Sequence, residues 1–198
     1  MLVGITGGIG AGKSMLAAML AERGARRVDA DQVAREVVEI PDVIKQLQEA
    51  FGADILDPEG NLDRQELGRR ALKSTQDSQR LEEIMRPPLS AAIGRRLDQE
   101  VAEVGSGIVI CDAPLIYEWG IEEYFDRIVV VDAEEERRLA RVQRRSGLAE
   151  REIRDRMARQ MKSQEKINRA DFVIQNNKDL AALEEQAFRL WSQLVSIS

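Results

Sequence analysis

The chain has 198 residues, of which 43% are hydrophobic and 32% are charged, and its formal net charge is −6. That length suits one compact α/β domain with a small appendage, and the acidic balance argues against double-stranded nucleic acid as a partner. Histidine is absent, which excludes an imidazole base and histidine metal ligands.

The first predicted elements are a strand, a loop and a helix. A short β-type run covers 2–6, a glycine-rich turn follows, and apolar residues at helical spacing predict a helix over 14–23. A second short strand is expected to end within 28–31, and the next helix to begin near Asp31 or Gln32.

The middle of the chain, from about 44 to 104, is predicted to be mostly helical, with polar turns at 57–61 and 74–75. Pro87 and Pro88 are expected to interrupt this pattern, because proline lacks the amide donor and clashes with the preceding turn.

Two buried strands follow, and each ends at an aspartate. Near-continuous runs of Val and Ile at 107–112 and 127–132 indicate parallel strands that are covered on both faces. The remaining predicted elements are helices over 133–145, 150–166 and 180–195 and a last strand over 172–174. The alternation of strands and helices predicts an α/β fold with a parallel, doubly wound sheet.

The environment of the chain is predicted from its thiol and its hydropathy. Cys111 is the one cysteine, so no internal disulfide forms, and its apolar neighbours favour a buried thiol over a reactive one. No leader peptide is visible and no apolar run approaches membrane length. We therefore expect a cytoplasmic protein in a reducing compartment, with no membrane partner.

Residues 7–14 read Gly-Gly-Ile-Gly-Ala-Gly-Lys-Ser and match the phosphate-loop pattern G-x-x-x-x-G-K-[ST] in full. The motif follows a predicted strand and opens a predicted helix, which favours it over a glycine-rich turn without a ligand. Glycines let main-chain N–H groups wrap a polyphosphate, and the helix adds its positive dipole end. We therefore expect ATP to contact Gly8, Gly10, Ala11, Gly12, Lys13, Ser14 and Met15.

Three polar side chains have predicted roles beside the phosphates. Lys13 is expected to reach the β- and γ-phosphates, and Ser14 to ligate Mg²⁺. Asp112 ends a buried strand, where a second Mg²⁺ ligand is typically found, although such a carboxylate can also simply cap the strand end.

Other parts of the sequence narrow the class of nucleotide-binding protein. The guanine-reading motif N-K-x-D is missing, because Leu180 follows Asn177-Lys178-Asp179. The stretch after the third strand, 112–115, also lacks the glycine of D-x-x-G. The pattern favours a small-molecule kinase over a GTPase.

Arginines are concentrated between 137 and 159, and this segment is a candidate lid that supplies cations during phosphoryl transfer. Acidic residues interleave with them, so a solvated, salt-bridged helix is the better interpretation for most. Arg141 and Arg145 are spaced i, i+4, and both interpretations, solvated or phosphate-binding, stay open for them.

The proton acceptor for an attacking hydroxyl is expected to be a carboxylate. Asp31 follows the second strand, at the carboxyl edge of the sheet where open α/β folds bind ligands. We predict Asp31 as the base and Asp29 as a structural partner; the alternative is that Asp31 only caps the next helix.

Taken together, these residues resemble the dephospho-coenzyme A kinase family over nearly the whole chain. The similarity lies in 6–14, in Asp29-Ala30-Asp31 followed by Ala34-Arg35, in Phe51-Gly52, in 112–118, in Arg141 and Arg145, and in 170–177. The resemblance implies a single P-loop kinase domain over 1–198, of the P-loop NTPase fold. It implies a three-layer α/β/α arrangement with a parallel five-stranded sheet, a helical acceptor-binding insert at about 60–105 and a lid at about 137–166.

The resemblance also implies the reaction and its participants. ATP with Mg²⁺ would phosphorylate the 3′-hydroxyl of dephospho-CoA, with Asp31 as the catalytic aspartate and Arg141 and Arg145 as lid arginines. Asn176 would border adenine, or serve only in a turn. The acceptor would contact Asp31, Arg86, Pro114, Leu115 and Glu118. Both substrates are small molecules, with no nucleic acid, and we expect a monomer or weak homo-oligomer.

The chain departs from similar proteins at one position. They usually carry a His-Pro pair where this sequence has Arg86-Pro87. Arginine can hold an acceptor phosphate bidentately, but it cannot act as a neutral acid or base. An exposed arginine beside a helix break is the alternative.

Two other functions of the chain stay open. It could be a nucleoside monophosphate kinase or a non-catalytic nucleotide switch.

Overall fold

The computed structural model describes residues 1–198, and five parallel strands form its single sheet. The strands are β1 (Leu2–Thr6), β2 (Arg26–Asp29), β3 (Val109–Asp112), β4 (Arg127–Asp132) and β5 (Phe172–Gln175). Their spatial order is β2-β3-β1-β4-β5, so β1 is central and is paired on both sides. The predicted parallel five-stranded sheet is confirmed, and the phosphate-loop motif leaves the carboxyl end of its middle strand.

Nine α-helices connect or follow the strands. They are α1 (Lys13–Ala21), α2 (Ala30–Val37), α3 (Pro41–Phe51), α4 (Arg64–Ala71), α5 (Thr75–Val104), α6 (Glu135–Ser146), α7 (Glu150–Ala158), α8 (Ser163–Arg169) and α9 (Leu180–Ile197). Short 3-10 turns occur at Ala53–Ile55 and Glu122–Tyr124. None of these helices combines the length and the apolar character that crossing a membrane requires.

The chain divides into two compact units. The first contains Met1–Asp29 and Leu97–Ser198, and the second contains Ala30–Arg96. The boundary at 96–97 lies inside α5. The second unit overlaps the insert that the sequence places at about 60–105, and acceptor binding by that insert remains a prediction.

The core of the first unit lies on the sheet. The strands are buried because their Val and Ile side chains are covered by helices, as the continuous apolar runs predict. The helices α1 and α9 pack together and close this core. Its fully buried members include Val3, Ile5, Leu16, Leu20, Ile110, Val129, Val131, Ala187 and Leu194.

The second unit has a smaller helical core. Side chains at helical spacing on α2 and α3 are buried, among them Val37 and Leu47. The helix α4 begins where the Asp63 side chain accepts hydrogen bonds from the amides of Gln65 and Glu66, a standard N-cap. The predicted turn at 57–61 is present, and it is closed by hydrogen bonds between Asp57 and Asn61.

Two predicted boundaries are wrong. Pro87 and Pro88 do not break the helix, since α5 continues through both. Apolar residues continue at helical spacing beyond them, and the burial of Leu89 and Ile93 offsets the hydrogen bonds that the prolines cannot make. The helix predicted over 150–166 is instead the pair α7 and α8, because residues 159–162 leave the helical path and contact distant parts of the chain.

The second strand ends within its predicted region of 28–31. The strand β2 stops at Asp29, and α2 starts at Ala30, so Asp31 is already in the first helical turn. A carboxylate there is stabilised by the positive end of the helix dipole.

Candidate active site

The phosphate loop connects β1 to α1 and presents main-chain donors. Gly12 precedes α1 with φ of 103°, a left-handed conformation that glycine adopts without strain. The amide of Ala11 donates to the Gly8 carbonyl at 3.1 Å. The amides of Gly10, Gly12 and Ser14 have no protein acceptor. These unpaired donors, together with the start of a nine-residue helix, form a site suited to an anion.

Lys13, Ser14 and Met15 lie at the start of α1. The Lys13 ammonium donates to the carbonyls of Gly7 at 3.1 Å and Gly8 at 3.4 Å, so it lies against the loop. Ser14 and Met15 are exposed on the first turn of α1. Their predicted contacts with Mg²⁺ and nucleotide remain predictions.

Asn176 and Arg141 support the loop through its carbonyl groups. The buried Asn176 amide donates to the Ala11 carbonyl at 2.8 Å. The Arg141 guanidinium donates to the Asn176 carbonyl at 2.8 Å and to the carbonyls of Gly10 and Ala11 at 3.4 Å. Burial, and secondarily the nearby Arg137 charge, lower the pKa of Arg141. Two residues predicted for ATP and lid roles therefore hold the loop itself.

The Arg138 guanidinium lies beside Gly8 of the loop. A Cβ atom built on Gly8 would lie 2.1 Å from Nη1 of Arg138, so glycine is what allows the guanidinium to approach. The Nε atom of Arg138 is buried and has no hydrogen-bond partner. This guanidinium is therefore a second candidate, besides Lys13, for contact with a bound phosphate.

Two other arginines of the candidate lid are paired at its surface. Arg154 contacts Glu135, Glu136 and Glu150 at 2.7–3.0 Å, and Arg137 contacts Glu134 at 3.2 Å. The salt-bridged interpretation therefore holds for these two. Arg145 lies exposed near the end of α6, and its phosphate contact remains a prediction.

Asp112 lies at the end of β3 and is buried. The strand register places it beside Asp29, and Arg27 bridges the two carboxylates at 2.8 and 3.1 Å. The cation offsets the repulsion that two adjacent carboxylates would otherwise exert. The Arg27 bond to Asp112 uses Oδ2, which leaves Oδ1 for another ligand.

Glu118 belongs to a buried ion pair rather than to an open surface. Its carboxylate lies 2.8 Å from the ammonium of Lys166, whose side chain is 1% exposed. Lys166 also donates to the Pro114 carbonyl at 2.9 Å, so both Glu118 and Pro114 are linked to α8. Burial lowers the pKa of Lys166, and the Glu118 partner opposes that shift. The predicted acceptor contacts of Glu118, Pro114 and the half-buried Leu115 remain predictions.

Two predicted site residues lie in the second unit. Asp31 is the second residue of α2, and Arg86 lies on α5 just before Pro87. Both are exposed, as residues that bind a substrate from solution must be. Each also makes a polar interaction within the protein.

With this geometry in place, comparison with known proteins decides the family. A family model for dephospho-CoA kinase matches residues 1–182. The chain belongs to the dephospho-CoA kinase family. A dephospho-CoA kinase from Corynebacterium glutamicum is 38% identical over 195 residues, covering 98% of this chain and 97% of the relative.

Two solved structures share the fold of this chain. TT1252 from Thermus thermophilus has a TM-score of 0.78 at 31% identity. The match covers 98% of this chain and 97% of the TT1252 chain. The dephospho-CoA kinase from Campylobacter jejuni has a TM-score of 0.65 at 20% identity and shows the same fold. The match covers 97% of this chain and 96% of the Campylobacter jejuni chain. The predicted family and the predicted P-loop kinase fold are confirmed.

Within this member of the dephospho-CoA kinase family, sequence reasoning gave three charged residues no individual role at the site. Arg138 shares a helical face with Arg141, three positions away, and that spacing was an available signal. Arg27 and Asp29 are two positions apart on β2, so they lie on the same face of the strand, and the sequence alone predicts that. Lys166 carried no signal, because its partners are 48 and 52 residues away.

The buried thiol of this kinase-family member is as predicted. Cys111 is fully buried in β3, and burial, with smaller contributions from Asp112 and Asp29, raises its pKa to about 12. A thiol held neutral in this way is a poor nucleophile, so the chemistry of the site falls to carboxylates and cations.

Proposed function

We propose that this chain transfers the γ-phosphoryl group of ATP to the 3′-hydroxyl of dephospho-CoA and so forms coenzyme A, the last step of coenzyme A synthesis. The observation that carries this is a phosphate loop with unpaired amides on the central strand, in a chain that matches the dephospho-CoA kinase family over residues 1–182.

The phosphates of ATP would bind to the amides of Gly10, Gly12 and Ser14. Lys13 would move from the loop carbonyls to the β- and γ-phosphates, because a phosphate offers a full charge where a carbonyl offers only a dipole. Arg138 would then face the same phosphates across Gly8. In a site that excludes water, such cations stabilise the charge that develops during transfer.

The residues present also fit a magnesium ion that travels with ATP. Mg²⁺ in kinases takes one or two protein oxygens and completes its shell with phosphates and water. The Ser14 hydroxyl and Oδ1 of Asp112 supply oxygens of that kind. The structure contains no cluster of three or more acidic, Cys or His side chains that could hold a metal by itself, so any ion here would depend on the nucleotide.

Asp31 would accept the proton of the attacking hydroxyl. The chain has no histidine, and Asp31 is an exposed carboxylate two residues beyond the end of β2. Arg141 and Arg145 would act with the lid, Arg141 by supporting the loop carbonyls as well. Arg86, with Pro114, Leu115 and Glu118, would contribute to acceptor binding.

A coupled assay of ADP release tests this proposal. We expect ADP to form with ATP and dephospho-CoA together, and the product to be phosphorylated at the 3′ position by mass spectrometry and NMR. AMP as the control acceptor should give no product, because the acceptor site is proposed to recognise dephospho-CoA. Turnover of AMP with no reaction of dephospho-CoA would instead identify a nucleoside monophosphate kinase.

A further inference from the structure

One loop contact is required neither by the motif nor by the proposed reaction. The amide of Ile9 donates to Oε1 of Gln160 at 2.8 Å, across 151 positions of sequence. Gln160 lies between α7 and α8, where the predicted long helix is interrupted. The loop thus has one amide held by a distant side chain, while the amides of Gly10 and Gly12 have no protein acceptor.

The Ile9 side chain is held as well. It packs against a small apolar cluster formed by Leu139 and Val142 of α6 and Ile153 of α7. These two helices make up most of the candidate lid and have this cluster as their own core. Because both the side chain and the amide of Ile9 are engaged by the lid segment, the conformation of the loop is coupled to that segment.

The backbone beside Gln160 is anchored to a buried charge pair. The amide of Met161 donates to Oε1 of Glu118 at 3.0 Å, and Glu118 pairs with Lys166 at 2.8 Å. The Lys166 side chain is 1% exposed. Separating a buried pair leaves an uncompensated charge in the interior, which is strongly unfavourable. The turn that carries Gln160 is therefore fixed.

The same pair leads back to the strand that carries the loop. Lys166 donates to the Pro114 carbonyl at 2.9 Å, and the hydroxyl of Thr6 donates to that carbonyl at 3.1 Å. Thr6 is the last residue of β1, immediately before the loop. The contacts form a closed path from Thr6 through Lys166 and Gln160 to Ile9, so both ends of the 6–9 segment are fixed to one framework.

We propose that Gln160 is a positioning residue of the phosphate loop, which fixes the Ile9 peptide so that the following amides are arranged for a polyphosphate before it binds. This inference rests on the proposed function, since it requires the loop to bind ATP. A loop that is already ordered loses less conformational entropy on binding, and its affinity for the ligand is higher for that reason.

The first test is Gln160→Ala, with ATP affinity measured by calorimetry in the absence of acceptor. We expect the Kd to rise about fivefold, the effect of losing one hydrogen bond between neutral groups. Gln164→Ala is the matched control, because Gln164 is an exposed glutamine on α8 that contacts Asn168. The control should bind ATP like wild type.

The second variant, Gln160→Glu, keeps an acceptor for the Ile9 amide but places an ionisable group beside the phosphates. Relative to wild type at the same pH, we expect weakened ATP binding at pH 8 and partial recovery as the pH falls towards about 4, where a growing fraction of the Glu side chain is protonated and resembles Gln. A side chain that lies away from the bound phosphates would not produce this pH dependence.

The outcomes separate the role of Gln160 from the proposed function. Wild type that binds ATP while Gln160→Ala binds it equally well or more tightly would overturn the role of Gln160 and leave the proposed function intact. Gln160→Glu with no pH dependence beyond that of wild type would overturn that role in the same way. Wild type that does not bind ATP would overturn both.

Discussion

The two compact units of this chain differ in the interactions that stabilise them and in the groups that they present to a ligand. In the unit with the sheet, buried strands are covered by α1 and α9, and the donors of the phosphate loop are main-chain amides at a strand-to-helix turn. In the unit Ala30–Arg96, the core is smaller, and many of its ion pairs lie at the surface, such as Arg64 with Glu39.

This difference bears on how precisely each unit can place chemical groups. Main-chain donors that follow a buried central strand are positioned before a ligand arrives. Asp31 and Arg86 are exposed side chains, which have more rotamers to lose when they bind. Substitutions in each unit can therefore test this difference in precision, and they follow in order of decreasing expected effect.

Lys13→Ala should have the largest effect, because it removes the positive charge from the preorganised loop. We expect turnover to fall by at least about a thousandfold, as loss of a charged stabiliser of the transferring phosphoryl group does. The coupled ADP assay at saturating substrates measures this. Lys45→Ala, an exposed lysine on α3, is the control and should retain full turnover. A Lys13 variant with more than about a tenth of wild-type turnover would contradict the assignment.

Asp31→Asn should come next, with kcat lowered about a hundredfold to a thousandfold, the range expected for loss of a general base. ATP affinity should change little, since this carboxylate is proposed to act on the acceptor. Steady-state kinetics together with ATP calorimetry separate the two quantities. Asp42→Asn is a matched control, because Asp42 is also an exposed acid in a first helical turn. An unchanged kcat would rule out Asp31 as the base.

Substitutions that create a cavity in one core should lower the stability of the unit that contains it. Leu20 in α1 and Leu47 in α3 are both fully buried, so each change to Ala should destabilise by about 3 kcal/mol. Hydrogen exchange followed by mass spectrometry should show faster exchange confined to Ala30–Arg96 for Leu47→Ala. Leu180→Ala, at an exposed position, is the control. Equal acceleration throughout the chain for Leu47→Ala would mean that the units do not open separately.

The smallest effect is expected for the surface charges of the second unit. Hydrogen bonds from Arg69 and Arg70 lower the pKa of Glu66 from 4.5 to about 2. A carboxylate with a depressed folded-state pKa stabilises the fold above its unfolded pKa, and this contribution is lost as pH falls towards 2. Wild type should therefore lose more of its Tm than Glu66→Gln between pH 6 and pH 3. Parallel Tm curves for the two proteins would contradict this, and Glu49→Gln serves as an exposed control.

Local sequence patterns predict some elements of this chain correctly and others wrongly. The strand, glycine-rich turn and helix of the phosphate loop are correct, because the pattern that specifies them is contiguous. The break expected at Pro87-Pro88 is wrong, because burial of residues beyond the prolines outweighs their local preference. The single helix expected at 150–166 is wrong as well, because distant partners of Gln160 and Met161 decide that segment.

The sequence by itself determined the class of this protein: a full phosphate-loop motif between strand and helix, alternating elements, and the residues that resemble dephospho-CoA kinases. Spacing along the chain fixes these features, because backbone conformation and helical or strand periodicity are local. Only the tertiary structure decided that Glu118 pairs with Lys166, that Arg27 joins Asp29 to Asp112, and that Gln160 holds Ile9. Most of those contacts join residues tens of positions apart, and the packing of the folded chain is what brings them together.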